Sequence, residues 1–196
     1  MSGVRRVGDG VPASERILDA AGRVFLVHGV TVADMTDIAA EAGCSRATLY
    51  RHFENRTALR IAYMHREARR VAAEVSSATS GYDDPAERVT EAVLTAVRIV
   101  RETPVLAAWF TPAGSSTTAG LAGASDVIES LCAAFLDGAN PVSDGAPDPA
   151  RWLVRVVVSL LTMPGRDAAD ERALVARFVV PALLGRAPGP AGITKG

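Results

Sequence analysis

Side chains Ile17, Ala20, Ala21, Val24, Phe25 and His28 recur at three- and four-residue steps, the spacing of one helix face. Ser14 is the expected N-cap of this first helix and Gly29 the residue that ends it. Residues 30–33 read as a short extended connection. Asp34 is placed to cap a second helix over 35–42, with Asp37 in the first turn, where negative charge suits the helix dipole. Gly43 ends that helix, and Cys44 and Ser45 lead directly into a third, over 46–53. A fourth opens near Arg56, with Leu59, Ala62, Tyr63, Arg66 and Arg70 on successive turns, and residues 76–82 are expected to break it.

The remainder keeps the helical period. Pro85 opens a helix over 86–102 that carries Val89, Val93, Leu94, Val97 and Val100 at helical spacing. Pro104 opens a short apolar segment, 105–110, closed by Pro112. Residues 113–125 are rich in Gly, Ser and Thr, and an apolar helix resumes over 127–136. The stretch 137–149, with three prolines and two glycines, reads as a loop. Two strongly apolar segments, 150–163 and 168–184, flank Pro164-Gly165. No stretch alternates as a strand would and no repeat is visible, so the pattern predicts an all-α fold of about nine helices.

Composition narrows the class. At 196 residues and 48% hydrophobic the chain can bury a core without covalent staples, and it is too apolar to be disordered. Two cysteines, Cys44 and Cys132, make no disulfide framework, and no metal-ligand spacing surrounds them, so neither metal nor cofactor is expected. The longest apolar run, 154–163, carries Arg155 and stops at Pro164, well short of the roughly 20 residues of a membrane span. No apolar segment follows the opening Met-Ser-Gly-Val-Arg-Arg as a signal peptide requires. A soluble, cytoplasmic protein that does not engage a membrane is the expectation.

The formal net charge of −1 conceals a local excess. Between Cys44 and Arg70 lie seven arginines (46, 51, 56, 60, 66, 69 and 70) against Glu54 and Glu67. Such a basic stretch on an otherwise acidic chain suits a polyanion, although a solvated helix face has the same composition. The stretch begins at a helix–turn–helix pattern. Ala39 allows two helices to approach, Gly43 supplies the turn, and Ile38, Cys44 and Leu49 form the shared core. The second helix of the pair then exposes Arg46, Ala47 and Thr48 near its N-terminus. In a major groove, an arginine can pair bidentately with guanine and a Thr or Ala methyl can touch thymine. Tyr50, Arg51 and His52 are suited to flanking phosphates, Ser45 stands at the helix start, and Arg56 adds a charge at the next helix.

Residues 15–59, ERILDAAGRVFLVHGVTVADMTDIAAEAGCSRATLYRHFENRTAL, resemble the N-terminal domain of the tetracycline-repressor (TetR) family. The matching positions are Ile17, Ala20, Phe25 and Gly29, then Ile38-Ala39, Ala42-Gly43, Ser45, Thr48-Leu49-Tyr50, His52-Phe53 and Leu59. Two positions depart from the family pattern. Asp34 stands where Thr is common, which keeps the cap but repels a phosphate. Arg56 replaces the usual Lys and keeps its charge. Residues 1–13 show no helical or strand period and read as a flexible arm, and 186–196 read as a disordered tail. Between them the resemblance implies a helix-turn-helix DNA-binding domain (14–58) and a ligand-binding and dimerisation domain (59–185). It also implies a repressor that binds a double-stranded DNA operator as a homodimer and is released by a small-molecule effector.

Within that expectation, the last two segments are apolar around much of their circumference and would form the intersubunit bundle through Trp152, Val156, Leu160, Leu174, Phe178 and Ala182. Val97, Leu106, Trp109, Phe110, Leu131 and Phe135 are the expected lining of an effector cavity, with Arg98 or Thr95 at its polar end. A lining this apolar favours a hydrophobic or amphipathic effector. The other readings are a helical DNA-binding regulator without an effector, an activator, or an enzyme. No H-E-x-x-H, G-x-S-x-G or glycine-rich phosphate loop supports the last of these.

Overall fold

A computed structural model of the chain describes residues 11–111, 125–137 and 148–185. All regular structure among them is helical. The expected arm (residues 11–13 apart), the interior of the 113–125 and 137–149 stretches, and the tail lie outside the described residues. The chain divides into two compact units between Met64 and His65, inside the fourth helix.

The first unit contains α1 (Ala13–His28), α2 (Met35–Glu41), α3 (Arg46–His52) and the start of α4 (Arg56–Thr79). α1 starts one residue before the expected cap. Pro12, with φ of −53°, leads into it and no side chain caps it, so Ser14 lies in its first turn. The helix buries Ile17, Leu18, Ala20, Ala21, Val24 and Phe25, whereas His28 is exposed in its last turn. Ile38, Ala39, Leu49, Phe53, Leu59 and Tyr63 complete the interior. The Tyr63 ring stands edge-on to Phe25, 5.2 Å between centroids. Gly22 lies beneath it, where a Cβ would come within 2.9 Å of the Tyr63 hydroxyl and the ring would have to shift to make room.

α4 runs on through residues 76–79, which were expected to break it. Thr79 is buried, and its hydroxyl donates to the Val75 carbonyl at 2.8 Å. A hydroxyl satisfied by the preceding turn no longer competes with the helix, so the Ser/Thr run does not end it.

The second unit adds α5 (Pro85–Glu102), α6 (Pro104–Ala107, running on as a 3₁₀ turn, Ala108–Phe110), α7 (Asp126–Asp137), α8 (Pro149–Thr162) and α9. α9 is α-helical over Ala168–Leu174, makes one π turn over Val175–Val179 and returns to α over Val180–Leu184. Local chemistry explains these starts: Asp84, Asp148 and Asp167 accept backbone N–H bonds at the N-termini of α5, α8 and α9, and proline opens α5, α6 and α8. The core joins Val89, Val93 and Val97 of α5 with Leu136, Leu153, Val156, Leu160, Val175, Val179 and Leu183.

The π turn has an identifiable cause. Pro181 has no N–H to donate four residues back, and just before it Val180 donates to Val175 instead, five residues back. The wider turn also keeps Val175, Val179 and Leu183 on the buried face. A spacing of four would drift about 40° per step on a regular α-helix.

One polar cluster crosses this unit. Arg101 makes a forked pair with Glu171 (2.9 and 2.7 Å) and donates to the Leu160 carbonyl at 2.8 Å. Glu171 is buried and also accepts from the Gly165 N–H at 2.9 Å. The Arg101 guanidinium, followed by that N–H, holds the Glu171 carboxyl below its ordinary range against the opposing effect of burial.

Candidate nucleic-acid interface

The helix-turn-helix is assembled by short-range hydrogen bonds. Asp34 accepts from the N–H groups of Thr36 (2.6 Å) and Asp37 (2.9 Å), and these bonds lower its pKa. Gly43 takes φ +63°, a left-handed turn that a side chain would strain, and the Cys44 N–H then closes onto the Ala39 carbonyl at 3.0 Å. Ser45 caps α3 by accepting from the Thr48 N–H at 3.1 Å, and the two hydroxyls lie 3.0 Å apart. Ile38 and Leu49 are fully buried between the two helices, while Cys44 is only half-buried.

α3 therefore turns Leu49 inward and its other side chains outward. Ser45, Arg46, Ala47, Tyr50, Arg51 and His52 are exposed, and Thr48 is half-buried against its cap. The Arg46 guanidinium lies 6.0 Å from the Tyr50 ring centroid, and Arg51 and His52 occupy the last turn. Arg56 is exposed at the start of α4, but its guanidinium also donates to the carbonyls of Thr31 and Ala33, both at 3.4 Å. The result is a short helix carrying two arginines, a tyrosine and a histidine on its solvent side, a shape and charge that a DNA major groove accepts.

Residues 17–63 match the family described as bacterial regulatory proteins, tetR family. Over 170 residues the chain is 49% identical to the HTH-type transcriptional regulator Rv1255c of Mycobacterium tuberculosis, covering 86% of this chain and 84% of that protein. The chain belongs to the tetR family. It is a transcriptional regulator with a DNA-binding helix-turn-helix at its N-terminus. Two solved structures share the family fold. The repressor QsdR of R. erythropolis has a TM-score of 0.64 at 24% identity, covering 88% of this chain and 94% of that one. RolR in complex with resorcinol has a TM-score of 0.63 at 18% identity, covering 87% of each chain.

The residues expected to line an effector cavity range from buried to half-buried, and Phe110 and Phe135 pack against the core that contains Val97. Val97 belongs to the core of the second unit, and Leu106 and Trp109 are also buried. Phe110, Leu131 and Phe135 are half-buried, as is Thr95. Arg98 is exposed and paired with Glu102 at 3.1 Å, one turn along α5. The same unit holds polar groups that the sequence pattern did not single out. The Arg88 guanidinium stands 5.3 Å from the Phe135 ring centroid. Ser125 and the His65 Nε2 are 2.9 Å apart, and the Ser125 oxygen also accepts from the Ile128 N–H. Burial, then Arg69, lowers the His65 pKa.

The expected subunit-interface residues separate cleanly. Trp152, Leu174, Phe178 and Ala182 are exposed, Phe178 at 62%. Val156 and Leu160 are each only 9% exposed and pack into the core of their own unit. Trp152, Val156 and Leu160 follow one another at steps of four, so on a regular helix they rotate from the surface into the core. Met163, at the end of α8, is an exposed apolar residue that the pattern missed. Among the described residues no cluster suited to a metal ion occurs, and no helix is long and apolar enough to cross a membrane.

Proposed function

We propose that the chain is a cytoplasmic repressor that binds a pseudo-palindromic operator as a homodimer and is released by a hydrophobic or amphipathic small molecule. The observation that carries the reading is the outward face of α3, where Arg46, Ala47, Tyr50, Arg51 and His52 are free to meet DNA while Leu49 anchors the helix. In this reading Ser45 and Thr48 contact DNA from the capped end of α3, Arg46 reads a base, and Arg51, His52 and Arg56 meet phosphates. One such helix makes too few base contacts for genomic specificity, which is the reason for a dimer. Trp152, Leu174, Phe178, Ala182 and Met163 are the exposed apolar groups that a second copy would cover. The 59–185 region would then serve ligand binding and dimerisation.

Trp109, Leu106, Phe110, Leu131 and Phe135 support an apolar effector, and resorcinol in RolR, an apolar ring with two hydroxyls, has the same character. An effector needs only to favour a state in which the two reading helices are wrongly spaced, a coupling of roughly 1–3 kcal/mol.

Binding of the full chain to a duplex selected from a randomised library, and to a scrambled duplex of equal length, tests the DNA half across several salt concentrations. Arg46→Ala is expected to cost about 1–3 kcal/mol on the selected duplex and little on the scrambled one. Arg51→Ala is expected to weaken both alike and to reduce the salt slope by about one unit. Equal losses from both variants on both duplexes would sink the division of roles. Release by apolar compounds tests the effector half, and release by highly charged metabolites alone would count against it.

A further inference from the structure

Arg60 follows Arg56 by one turn of α4 and belongs to the most basic stretch of the chain, yet it is buried, at 7% exposure. Its guanidinium donates to the Val30 carbonyl, and its Nε is enclosed without a partner. Among the described residues no carboxylate pairs with it, burial lowers its pKa, and Arg56 lowers it further. A buried cation of this kind is an expensive way to fill space, and an apolar side chain of similar volume would cost less. Stability alone does not account for it.

The partner atoms suggest what does. Arg60 and Arg56 together donate to the carbonyls of Val30, Thr31 and Ala33, in the link between α1 and α2. Asp34 follows at once and caps α2. α2 and α3 have seven residues each, too few to hold a helix in place by their own hydrogen bonds. The Gly43 turn carries any displacement of α2 on to α3. We propose that Arg60 is a positioning residue for DNA reading: without touching DNA, it fixes the α1–α2 link to α4 and so sets where the reading helix stands.

The inference rests on α3 reading DNA, and the experiment separates the two. The parent chain first selects a duplex from a randomised library; if it enriches no sequence, the DNA-reading assignment fails. With a selected duplex in hand, Arg60→Met is expected to lower the selected-to-scrambled affinity ratio by about 10-fold, the size of one lost charged hydrogen bond. Its affinity for the scrambled duplex and its salt slope should match the parent, because a buried side chain neutralises no phosphate. Arg60→Lys keeps one donor and the charge, and is expected to lower the ratio by about 2- to 5-fold. If Arg60→Met does not fold, Arg60→Lys decides by the same ratio. A ratio equal to the parent's, or equal losses on both duplexes, overturns the proposal.

Discussion

Replacing Arg101 with methionine is expected to destabilise the second unit by about 1–2 kcal/mol at neutral pH, because Glu171 is buried but water reaches the Arg101 side of the pair and screens part of the cost. The change leaves Glu171, itself buried, with the Gly165 N–H in place of a forked guanidinium. It also removes the donor to the Leu160 carbonyl, so α5, α8 and α9 lose a shared tie. The pH dependence supplies a signature. In the parent, the Glu171 pKa is lowered by Arg101, so its contribution is present above the ordinary glutamate range and is lost as pH falls through the lowered value. Without Arg101, burial dominates and raises that pKa, which reverses the sign. The penalty in Arg101→Met should then be largest near neutrality and shrink on acidification. Urea unfolding at several pH values checks both features. Adding Glu171→Met should recover most of the loss, since an apolar pair leaves no buried charge. A single variant as stable as the parent at neutral pH would contradict the ion pair's structural role.

The parts of the fold written in local chemistry were legible in the sequence. Asp34 and Ser45 cap α2 and α3, Gly43 makes the turn, and Pro85 and Pro104 open α5 and α6, because each acts on backbone groups within a few residues. The outward face of α3 was legible for the same reason: once Leu49 is inward, its neighbours on the helix are not. Long-range choices were hidden. Arg60 counts as surface charge in any tally, and only the tertiary fold brings it to a carbonyl 30 residues away. Helices as apolar all round as α8 and α9 do not announce which stripe is core. Val156 and Leu160 therefore read like Trp152 until the packing separates them. Nor did the period reveal the π turn, because the steps of four from Val175 to Val179 and Leu183 suit the face of an ordinary helix as well.

Phe178→Asp is expected to have the largest effect on function. The side chain is 62% exposed in the π turn of α9, with the Arg177 guanidinium 5.5 Å from its ring centroid, so an aspartate there meets water and disturbs no core contact. Helical content and unfolding midpoint should stay within error of the parent. In a homodimer, however, a two-fold axis would place the same face of α9 from each copy in one interface, and the substitution would enter twice. Removing a central aromatic anchor there typically costs 2 kcal/mol or more, and two buried carboxylates add desolvation and repulsion. Sedimentation equilibrium should therefore report a monomer at concentrations where the parent is a dimer. Losing the second reading helix forfeits the gain from joined sites, so affinity for a two-half-site duplex should fall by about 100-fold or more. Affinity for a single half-site should be unchanged, since α3 lies in the other unit. A Phe178→Asp chain that remains dimeric would move the interface away from α9. A monomeric one that still binds the full site tightly would show that a lone α3 suffices, and the physical reason for pairing two copies would be gone.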